Sequence, residues 1–435
     1  MTEATSTPVR SLRVADPPPP VRVVTATSCA TAVPTQPATV CAAALAEPGS
    51  RRGWASVGAV ALGAFVVVMT ETLPVGLLPR IAAGVHVSLG LAGLMVLVPG
   101  FSAAVSAPLF FVRSAGLNRR SVILVLGLAV LVSNAIVAVA PNFVVVLIAR
   151  VLFGATLGAF WTVVAPVGPK LVGTAHGTRA ITIIAAGISG GTVVGLPAGQ
   201  FLGNLVGWRL TFACAAAATL LVVVAQTYLL PSIPPDGRTH LRDLVGVVKR
   251  RAARLGLAAG AVAFIGQFAA WTYVTPFLID HTHLSSGVIS VLYVIYGCGG
   301  IVGSLVAGSL FKRGVISSFA GAAAVVGALL IGLASAGTLP WLSGLLLVLW
   351  GLFWGVVNPG SLVWILDAAP ETPEAASAVN VTNLQLALAA GSGLGAILVS
   401  STTLQTVFLA AGCVVLASAV LAAVATRFVT LAPRE

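Results

Sequence analysis

Residues 55–78 read ASVGAVALGAFVVVMTETLPVGLL, and Glu71 is the only charged residue among them. About 20 consecutive apolar residues are enough to cross the hydrocarbon core of a bilayer as an α-helix. The stretch therefore predicts a transmembrane helix. A charged side chain inside the hydrocarbon is costly and usually serves a function, so Glu71 is the first candidate functional residue.

The same pattern recurs along the rest of the chain. Hydrophobic residues make up 58% of the 435 residues and charged residues 8%, whereas a soluble domain carries about 25% charged residues. Long strands of alternating polarity, typical of membrane barrels, are absent. The sequence therefore predicts an all-α integral membrane protein with twelve transmembrane helices. The predicted spans are 55–78, 90–112, 121–140, 142–165, 180–202, 209–230, 255–279, 287–311, 315–336, 341–363, 377–399 and 404–425.

A polar stretch at 231–254 divides the spans into two sets of six. Before the first span, residues 1–53 are rich in Pro, Thr and Ala and lack the apolar core of a signal peptide, so we expect a disordered tail that stays attached. The predicted domains are the tail 1–53, a first half 54–230, a central loop 231–254, a second half 255–426 and a second tail 427–435.

The two halves echo each other in sequence. A Pro-His-Ser pattern follows an odd-numbered span in each half, at Pro79, His86 and Ser88 and again, 197 residues later, at Pro276, His283 and Ser285. HGTRAITIIAAGISGG (176–191) is echoed at 374–391, about 198 residues later. Two similar offsets predict duplicated, pseudo-symmetric six-helix halves. Parallel repeats of this kind occur in transporters that bind substrate between their halves.

The net charge of +12 follows membrane topology and does not indicate nucleic-acid binding, because Lys and Arg concentrate on one side of the spans. Of the 23 Lys and Arg residues, Arg80 and Arg209 fall on the other side and Arg150 falls inside a span. We therefore expect both termini, and the tails and central loop, to be cytoplasmic. Arg far outnumbers Lys, which suggests a GC-rich bacterial genome and the bacterial cytoplasmic membrane.

Glu71 and Arg150 lie at similar predicted depths from the external side, roughly 10 and 12 Å at 1.5 Å per residue. An ion pair or a shared water network between them is therefore expected. Burial and a neighbouring guanidinium act in opposite directions on a carboxyl group, so their balance decides whether the group exchanges protons. Three roles stay open for the pair: proton coupling, a structural tie between helices, and recognition of substrate charge.

Five stretches carry a family resemblance. They are TETLPVGLLPRIAAGVHVS (70–88), ARVLFGATLGAFW (149–161), GISGGTVVGLPAGQFLGNLVGWRLTF (187–212), residues 272–304, and APETPEAASAVNV (369–381). Together they resemble the major facilitator superfamily of drug:proton antiporter type, and most of all bacterial arabinose, purine-nucleoside and chloramphenicol efflux transporters. The resemblance covers about 54–425 and implies the major facilitator fold, alternating access and proton-coupled export.

The resemblance also assigns conformational roles. The glycine-rich fifth span matches the family's antiporter motif, with Gly191, Gly195, Pro197 and Gly199 at helical spacing; small faces allow close helix contact in membranes. The 2–3 loop, FVRSAGLNRR (111–120), keeps Arg119 and Arg120 of the family motif. However, Ala115 stands where the family has Asp, and Lys312 does so in the second-half copy. We therefore expect a weaker cytoplasmic latch.

In the resembled fold, spans 1, 4, 7 and 10 line the cavity. Span 7 carries a stripe at i, i+4 and i+8 from Gln267, and span 10 carries one from Trp350. Each of these side chains has a structural alternative, since Trp is also common at lipid-facing and interfacial positions. The candidate substrate contacts are Phe160, Trp161, Gln267, Trp271, Tyr273, Trp354 and Asn358.

We therefore expect a monomeric secondary transporter that exports a small organic molecule in exchange for protons. Few fixed charges line the spans, so a neutral or lipophilic substrate is favoured. The alternative is a sugar or nucleoside facilitator or symporter without obligatory proton antiport. Neither a nucleotide-binding glycine loop nor a catalytic cluster nor a metal-ligand pattern is present, so no cofactor, metal, nucleic-acid partner or enzymatic activity is expected.

Overall fold

The computed structural model describes residues 50–113, 116–173, 176–233, 241–336 and 339–428, and these contain helices and no β-strand. The twelve predicted spans are confirmed, because the described residues contain twelve helices long and apolar enough to cross a membrane. The long helices are α1 (Arg51–Gly84), α2 (Leu94–Arg113), α3 (Arg119–Val139), α4 (Phe143–Val172), α5 (Gly177–Leu205), α6 (Gly207–Leu229), α7 (Arg251–Thr272), α8 (Ser286–Phe311), α9 (Val315–Ala336), α10 (Pro340–Ala368), α11 (Pro373–Ser401) and α12 (Leu404–Ala425).

Several helices run beyond the apolar stretches that predict them. Helix α1 begins at Arg51 because the Ser50 hydroxyl caps it, accepting a hydrogen bond from the Gly53 N–H at 3.1 Å. A short helix, Leu89–Ala92, precedes α2. Within the predicted central loop the chain forms another helix, Leu241–Lys249. Apolar length marks the part of a helix inside lipid, whereas caps fix where the helix ends.

The seventh span is interrupted. Helix α7 ends at Thr272, one short turn covers Val274–Pro276, and a π-helical turn covers Phe277–His281. Pro276 lacks an N–H and therefore cannot bond the carbonyl four residues earlier. The predicted continuous span 255–279 is thus broken near its end, and irregular turns inside helices are frequent at functional sites.

The helices pair in the same way in each half. Helix α1 packs against α5, α2 against α4 and α3 against α6; in the second half α7 packs against α11, α8 against α10 and α9 against α12. The close approaches also repeat at an offset of 197. Gly154 of α4 lies against the Pro99 carbonyl of α2, and Gly351 of α10 lies against the Tyr296 carbonyl of α8. The pseudo-symmetric halves are confirmed.

The sequence echo has a backbone counterpart. His86 and His283 have φ angles of 55° and 56°, and they are the non-glycine residues with positive φ among those described. Each lies in the exposed connection that follows an odd-numbered span of its half. Two residues later, Ser88 and Ser285 are the N-cap residues of the next helices. The repeated residues therefore build the same left-handed turn twice.

The halves meet along α2 with α11 and along α5 with α8. We call the end of the bundle where α1 begins and α12 ends the terminal face, and the other end the opposite face. The Leu241–Lys249 helix lies at the terminal face, where Val247 packs on a cluster that includes Ile365 and Ala376. Arg250 adds an ion pair to Glu371 at 2.6 Å, which ties the connection to the second half.

Candidate functional site

Glu71 lies where the two halves meet. Its helix, α1, packs on α5 of its own half, and the side chain is partly buried. Its carboxyl group interacts with Arg150 of the first half and with Gln385 of α11 in the second half. Glu71 and Arg150, which were predicted at matching depths, are thus near enough for their charges to interact, and Gln385 is a third, unpredicted neighbour of the carboxyl group.

Arg150 is 1% exposed and is not bound to Glu71 by a direct ion pair within the described residues. Its Nε donates to the Met95 carbonyl at 3.2 Å, and its guanidinium lies 4.3 Å from the centroid of the Phe153 ring. The Met95 carbonyl is available because Pro99, four residues later, has no N–H to offer it. One terminal nitrogen, Nη1, is buried without a hydrogen-bond partner, so Arg150 keeps a free donor.

Gln385 is the functional candidate that sequence reasoning missed. It is 7% exposed, and its Nε2 has no partner at ordinary hydrogen-bond distance, although its side chain interacts with Glu71. The amide thus has an unused donor next to a carboxyl group of the other half. The available signal was an amide inside the apolar stretch LQLALAAG, because polar groups in a span are costly and usually functional.

Further buried polar groups lie on the helices around Glu71. Asn134 of α3 donates from Nδ2 to the Thr70 hydroxyl at 3.2 Å, and its Oδ1 is buried without a partner. Ser133 donates to the Ala149 carbonyl at 2.7 Å. The residues beside Glu71 and Arg150 are therefore joined to α3 by hydrogen bonds. The first half thus encloses a polar layer around Glu71 and Arg150.

The second half holds an aromatic cluster instead. Gln267 accepts a 2.7 Å hydrogen bond from the Trp350 indole N–H and donates to the Tyr296 hydroxyl at 3.3 Å. The centroid of the Trp271 ring lies 4.5 Å from that of Tyr296 and 5.6 Å from that of Trp350, and the Trp271 and Trp350 rings meet edge to face. The structure therefore brings two predicted contacts, Gln267 and Trp271, together in one buried cluster.

The other predicted contacts are spread more widely. Phe160 and Trp161 touch each other in the first half, with ring centroids 5.7 Å apart. Trp354 is half-buried and packs on Phe264 at 4.8 Å, and Asn358, one turn further along α10, is exposed. Tyr273 is fully buried where the halves meet near the opposite face.

Two hydrogen bonds join the halves near the opposite face. The Thr275 hydroxyl donates to the Val75 carbonyl at 2.9 Å, and the Tyr273 hydroxyl donates to the Gly90 carbonyl at 3.5 Å. The Val75 carbonyl is available because Pro79 lacks the N–H that would bond it. Since the Thr275 proton is used there, the Tyr293 hydroxyl, 2.7 Å from Thr275 Oγ1, is the donor of that pair. The opposite face is closed in this conformation.

The predicted glycine face packs on α1. A Cβ atom at Gly191 would collide with the Phe65 carbonyl, one at Gly195 with the Thr72 hydroxyl, and one at Gly199 would lie 2.7 Å from the Leu73 carbonyl. Gly391 and Gly395 of α11 approach α7 in the same way. Pro197 lies inside α5. The face is therefore a contact between helices of one half, repeated in the other.

The 2–3 connection is tied to the end of α6. The Arg120 guanidinium donates to the Thr227 carbonyl at 2.8 Å, and the Arg119 N–H donates to the Ile233 carbonyl at 3.1 Å. Arg119 is buried and Lys312 is exposed. Ala115 lies outside the described residues. The Arg120 side chain thus holds the end of α6, and the Arg119 backbone holds the start of the central connection.

Comparison with known proteins agrees with this architecture. The sequence model of the Major Facilitator Superfamily matches residues 60–392. The chain is 33% identical over 386 residues to the transcription regulatory protein OpdE of Pseudomonas aeruginosa, with 88% of this chain and 96% of that protein covered. It is 27% identical over 382 residues to the purine ribonucleoside efflux pump NepI of Salmonella enteritidis, with the same coverage.

Two solved structures share the fold. A peptide transporter, POT, superposes with a TM-score of 0.71 at 13% identity, covering 88% of this chain and 96% of its own. The human organic anion transporter MFSD10 superposes with a TM-score of 0.62 at 17% identity, covering 85% and 99%. At such low identity these two structures establish the fold alone.

Proposed function

The chain belongs to the Major Facilitator Superfamily and is a multi-pass membrane transporter of a small molecule, and we propose that it exports a neutral organic compound in exchange for protons. The observation that carries this proposal is Glu71, which interacts with Arg150 of its own half and with Gln385 of the other half. A single acid that interacts with both halves can link its protonation to their rearrangement.

The two protonation states of Glu71 bind their neighbours differently. As a carboxylate, Glu71 attracts Arg150 and can accept a hydrogen bond from the unpartnered Nε2 donor of Gln385. As a neutral acid, it loses the attraction to Arg150 and gains an O–H, which the carbonyl oxygen of Gln385 can accept. A ligand shifts a conformational equilibrium only through such differential binding. The proton therefore acts as a ligand that favours one arrangement of the halves.

The terminal face is the cytoplasmic one in this proposal, because it carries most of the Lys and Arg residues. The closed opposite face then faces outward, and alternating access requires the terminal face to admit the exported compound. A cytoplasmic-type reporter fused after Glu435 should be active, and activity of a periplasmic-type reporter there would overturn the orientation.

Nucleosides are the first compounds to test as cargo. One relative is named a purine ribonucleoside efflux pump, and the second half offers flat aromatic rings and uncharged hydrogen-bonding groups near its centre. Flat rings stack on bases, and few charges lie nearby to bind an anion. Phe160, Trp161, Gln267, Trp271, Tyr273, Trp354 and Asn358 are the proposed cargo contacts, and a monomer is the proposed working unit.

The test uses purified protein in vesicles with an imposed pH gradient and inosine as probe. We expect Glu71→Gln to abolish uphill transport while folding is preserved, because the amide keeps the shape but cannot exchange a proton. Glu374→Gln, at an exposed position in the first turn of α11, is the matched control and should transport normally. Uphill transport by Glu71→Gln with ordinary pH dependence would show that the coupling group lies elsewhere, with Asp280 the next candidate.

The facilitator or symporter alternative is separated in the same vesicles by the proton movement. Antiport moves protons opposite to the cargo, symport moves them with it, and a facilitator moves none. A pH-sensitive dye in the lumen therefore assigns the class directly from the sign of the cargo-driven pH change.

A further inference from the structure

A group of uncharged polar side chains lies between α7, α10 and α11, on the terminal-face side of the second half. Asn383 of α11 donates to the Leu257 carbonyl of α7 at 2.9 Å. Both Asn383 and Ser361 of α10 lie within 4 Å of the Cβ position of Gly260. One turn along each helix are Asn380 and the exposed Asn358. We call Asn358, Ser361, Trp364, Asn380 and Asn383 the amide cluster.

Two members of the amide cluster are buried without satisfied hydrogen bonds. Asn380 is 3% exposed and its Oδ1 has no partner; Trp364 is fully buried and its indole Nε1 has no partner. The large majority of buried side-chain polar atoms in proteins are hydrogen-bonded, and an unsatisfied one costs stability. An acceptor and a donor are thus left open in the same region.

The first half provides an internal control for the fold. At the offset of 197 that relates α4 to α10, Ser361 corresponds to Val164 and Trp364 to Val167, and both valines are buried. At the offset of 196 that relates Gly195 and Gly199 to Gly391 and Gly395, Asn380 corresponds to Ile184. The same helix packing is therefore built from apolar residues in one half. At Ser361, Trp364 and Asn380 the scaffold therefore does not require a polar residue.

We infer that the amide cluster is a cargo subsite that binds a neutral hydroxyl- or amide-bearing group. Amides both donate and accept hydrogen bonds, and no acid or base belongs to the cluster, so its chemistry suits hydroxyl and amide groups better than ions. The inference rests on the proposed export function and deepens it, because it assigns the uncharged, hydrogen-bonding part of the cargo to the terminal-face side of the second half.

The experiment measures the thermal stability of the detergent-purified protein with ribose, inosine, 2′,3′-dideoxyinosine and nicotinamide. Asn358→Leu combined with Asn380→Leu removes two amides that make no side-chain hydrogen bond in the free protein, so this double variant should fold. Gln405→Leu is the control, since it removes an amide of α12 that bonds the Ala334 carbonyl outside the cluster.

We expect inosine to stabilise the wild-type protein more than its dideoxy analogue does. The double variant should bind inosine about tenfold more weakly, as expected for two lost neutral hydrogen bonds, and should no longer distinguish the two compounds. Gln405→Leu should behave as the wild type does.

Each outcome decides one of the two proposals. If inosine stabilises the wild type and the double variant equally, the subsite is overturned, whereas the proposal of proton-linked export is unaffected. If none of the four compounds stabilises the wild type, the subsite is overturned as well, whatever the vesicles export. If the inosine effect depends on the amides but no proton-linked transport is measured, the subsite stands and the proposed function fails.

Discussion

Replacing Thr275 by Val should open the opposite face. The substitution keeps the shape of the side chain but removes the hydroxyl that donates to the Val75 carbonyl and accepts from Tyr293. Because Pro79 cannot bond that carbonyl, it would be left buried and unsatisfied in the closed conformation, as would the Tyr293 hydroxyl. At about 1–3 kcal/mol for each buried unsatisfied group, the closed conformation loses about 3 kcal/mol, which is roughly a hundredfold in the equilibrium.

Spin labels on α1 at Ala83 and on α11 at Ser401 would report this change as an interlabel distance, since both positions are exposed near the opposite face. We expect Thr275→Val to add a population at longer distance. The control is Thr219→Val, which removes a buried hydroxyl that bonds the Ala215 carbonyl within α6 and should leave the distances unchanged.

A second substitution sharpens the Thr275 test. Pro79→Ala supplies the missing N–H, so that the Val75 carbonyl is satisfied within its own helix. The double variant Thr275→Val with Pro79→Ala should therefore show a smaller open population than Thr275→Val alone. The two substitutions are then non-additive, and the geometry predicts that the second offsets the first. Distances that stay at the wild-type value in Thr275→Val would refute the idea that this hydrogen bond holds the halves together.

The remaining predictions concern other contacts. Gly195→Leu should block transport without preventing insertion, because α1 leaves no room for a side chain there. The control is Gly58→Leu, which should be tolerated because no atom lies within 4 Å of its Cβ position. The two variants are compared by vesicle uptake normalised to expression. Trp354→Ala should raise the apparent KM for inosine while the pH response of transport persists. The pKa of Glu371 is held below its usual range by hydrogen bonds from its own backbone and from Arg250, so the Arg250 ion pair should persist through the usual titration range of a glutamate and be lost as pH falls through the lowered pKa. Limited proteolysis of the 231–250 connection across pH measures this, and Glu371→Gln should be cleaved readily at neutral pH.

Hydropathy and charge predicted the architecture well. The twelve spans were predictable because each long apolar stretch must be buried in lipid. The membrane acid and base were recognisable because a charge in lipid is costly and usually functional. The duplicated halves were visible as repeated sequence patterns. The glycine face was visible for a related reason: residues without side chains at helical spacing indicate close contact. These features depend on one helix at a time.

Features that depend on two distant helices could not be predicted. Pro99 and Pro79 were visible in the sequence, but nothing there indicated that Arg150 and Thr275 donate to the carbonyls those prolines leave free. Gln385 was not selected as a site residue because only its position beside Glu71, more than 300 residues earlier in the chain, indicates a function. The break after Thr272 was missed because the residues on both sides of it are equally apolar.

The unequal chemistry of the two halves has a consequence for how such a protein can evolve. The copy that ends at Leu229 holds the membrane acid and base, whereas the copy that begins at Arg251 holds the aromatic cluster around Trp271 and the amide cluster. Under the coupling and cargo sites proposed above, mutations in the second copy can change which compound is carried while Glu71 and Arg150 of the first copy keep the proton dependence unchanged. Cargo diversity among descendants should therefore accumulate in residues 251–425, and a chimera that exchanges this segment should carry the donor's cargo with the recipient's proton dependence.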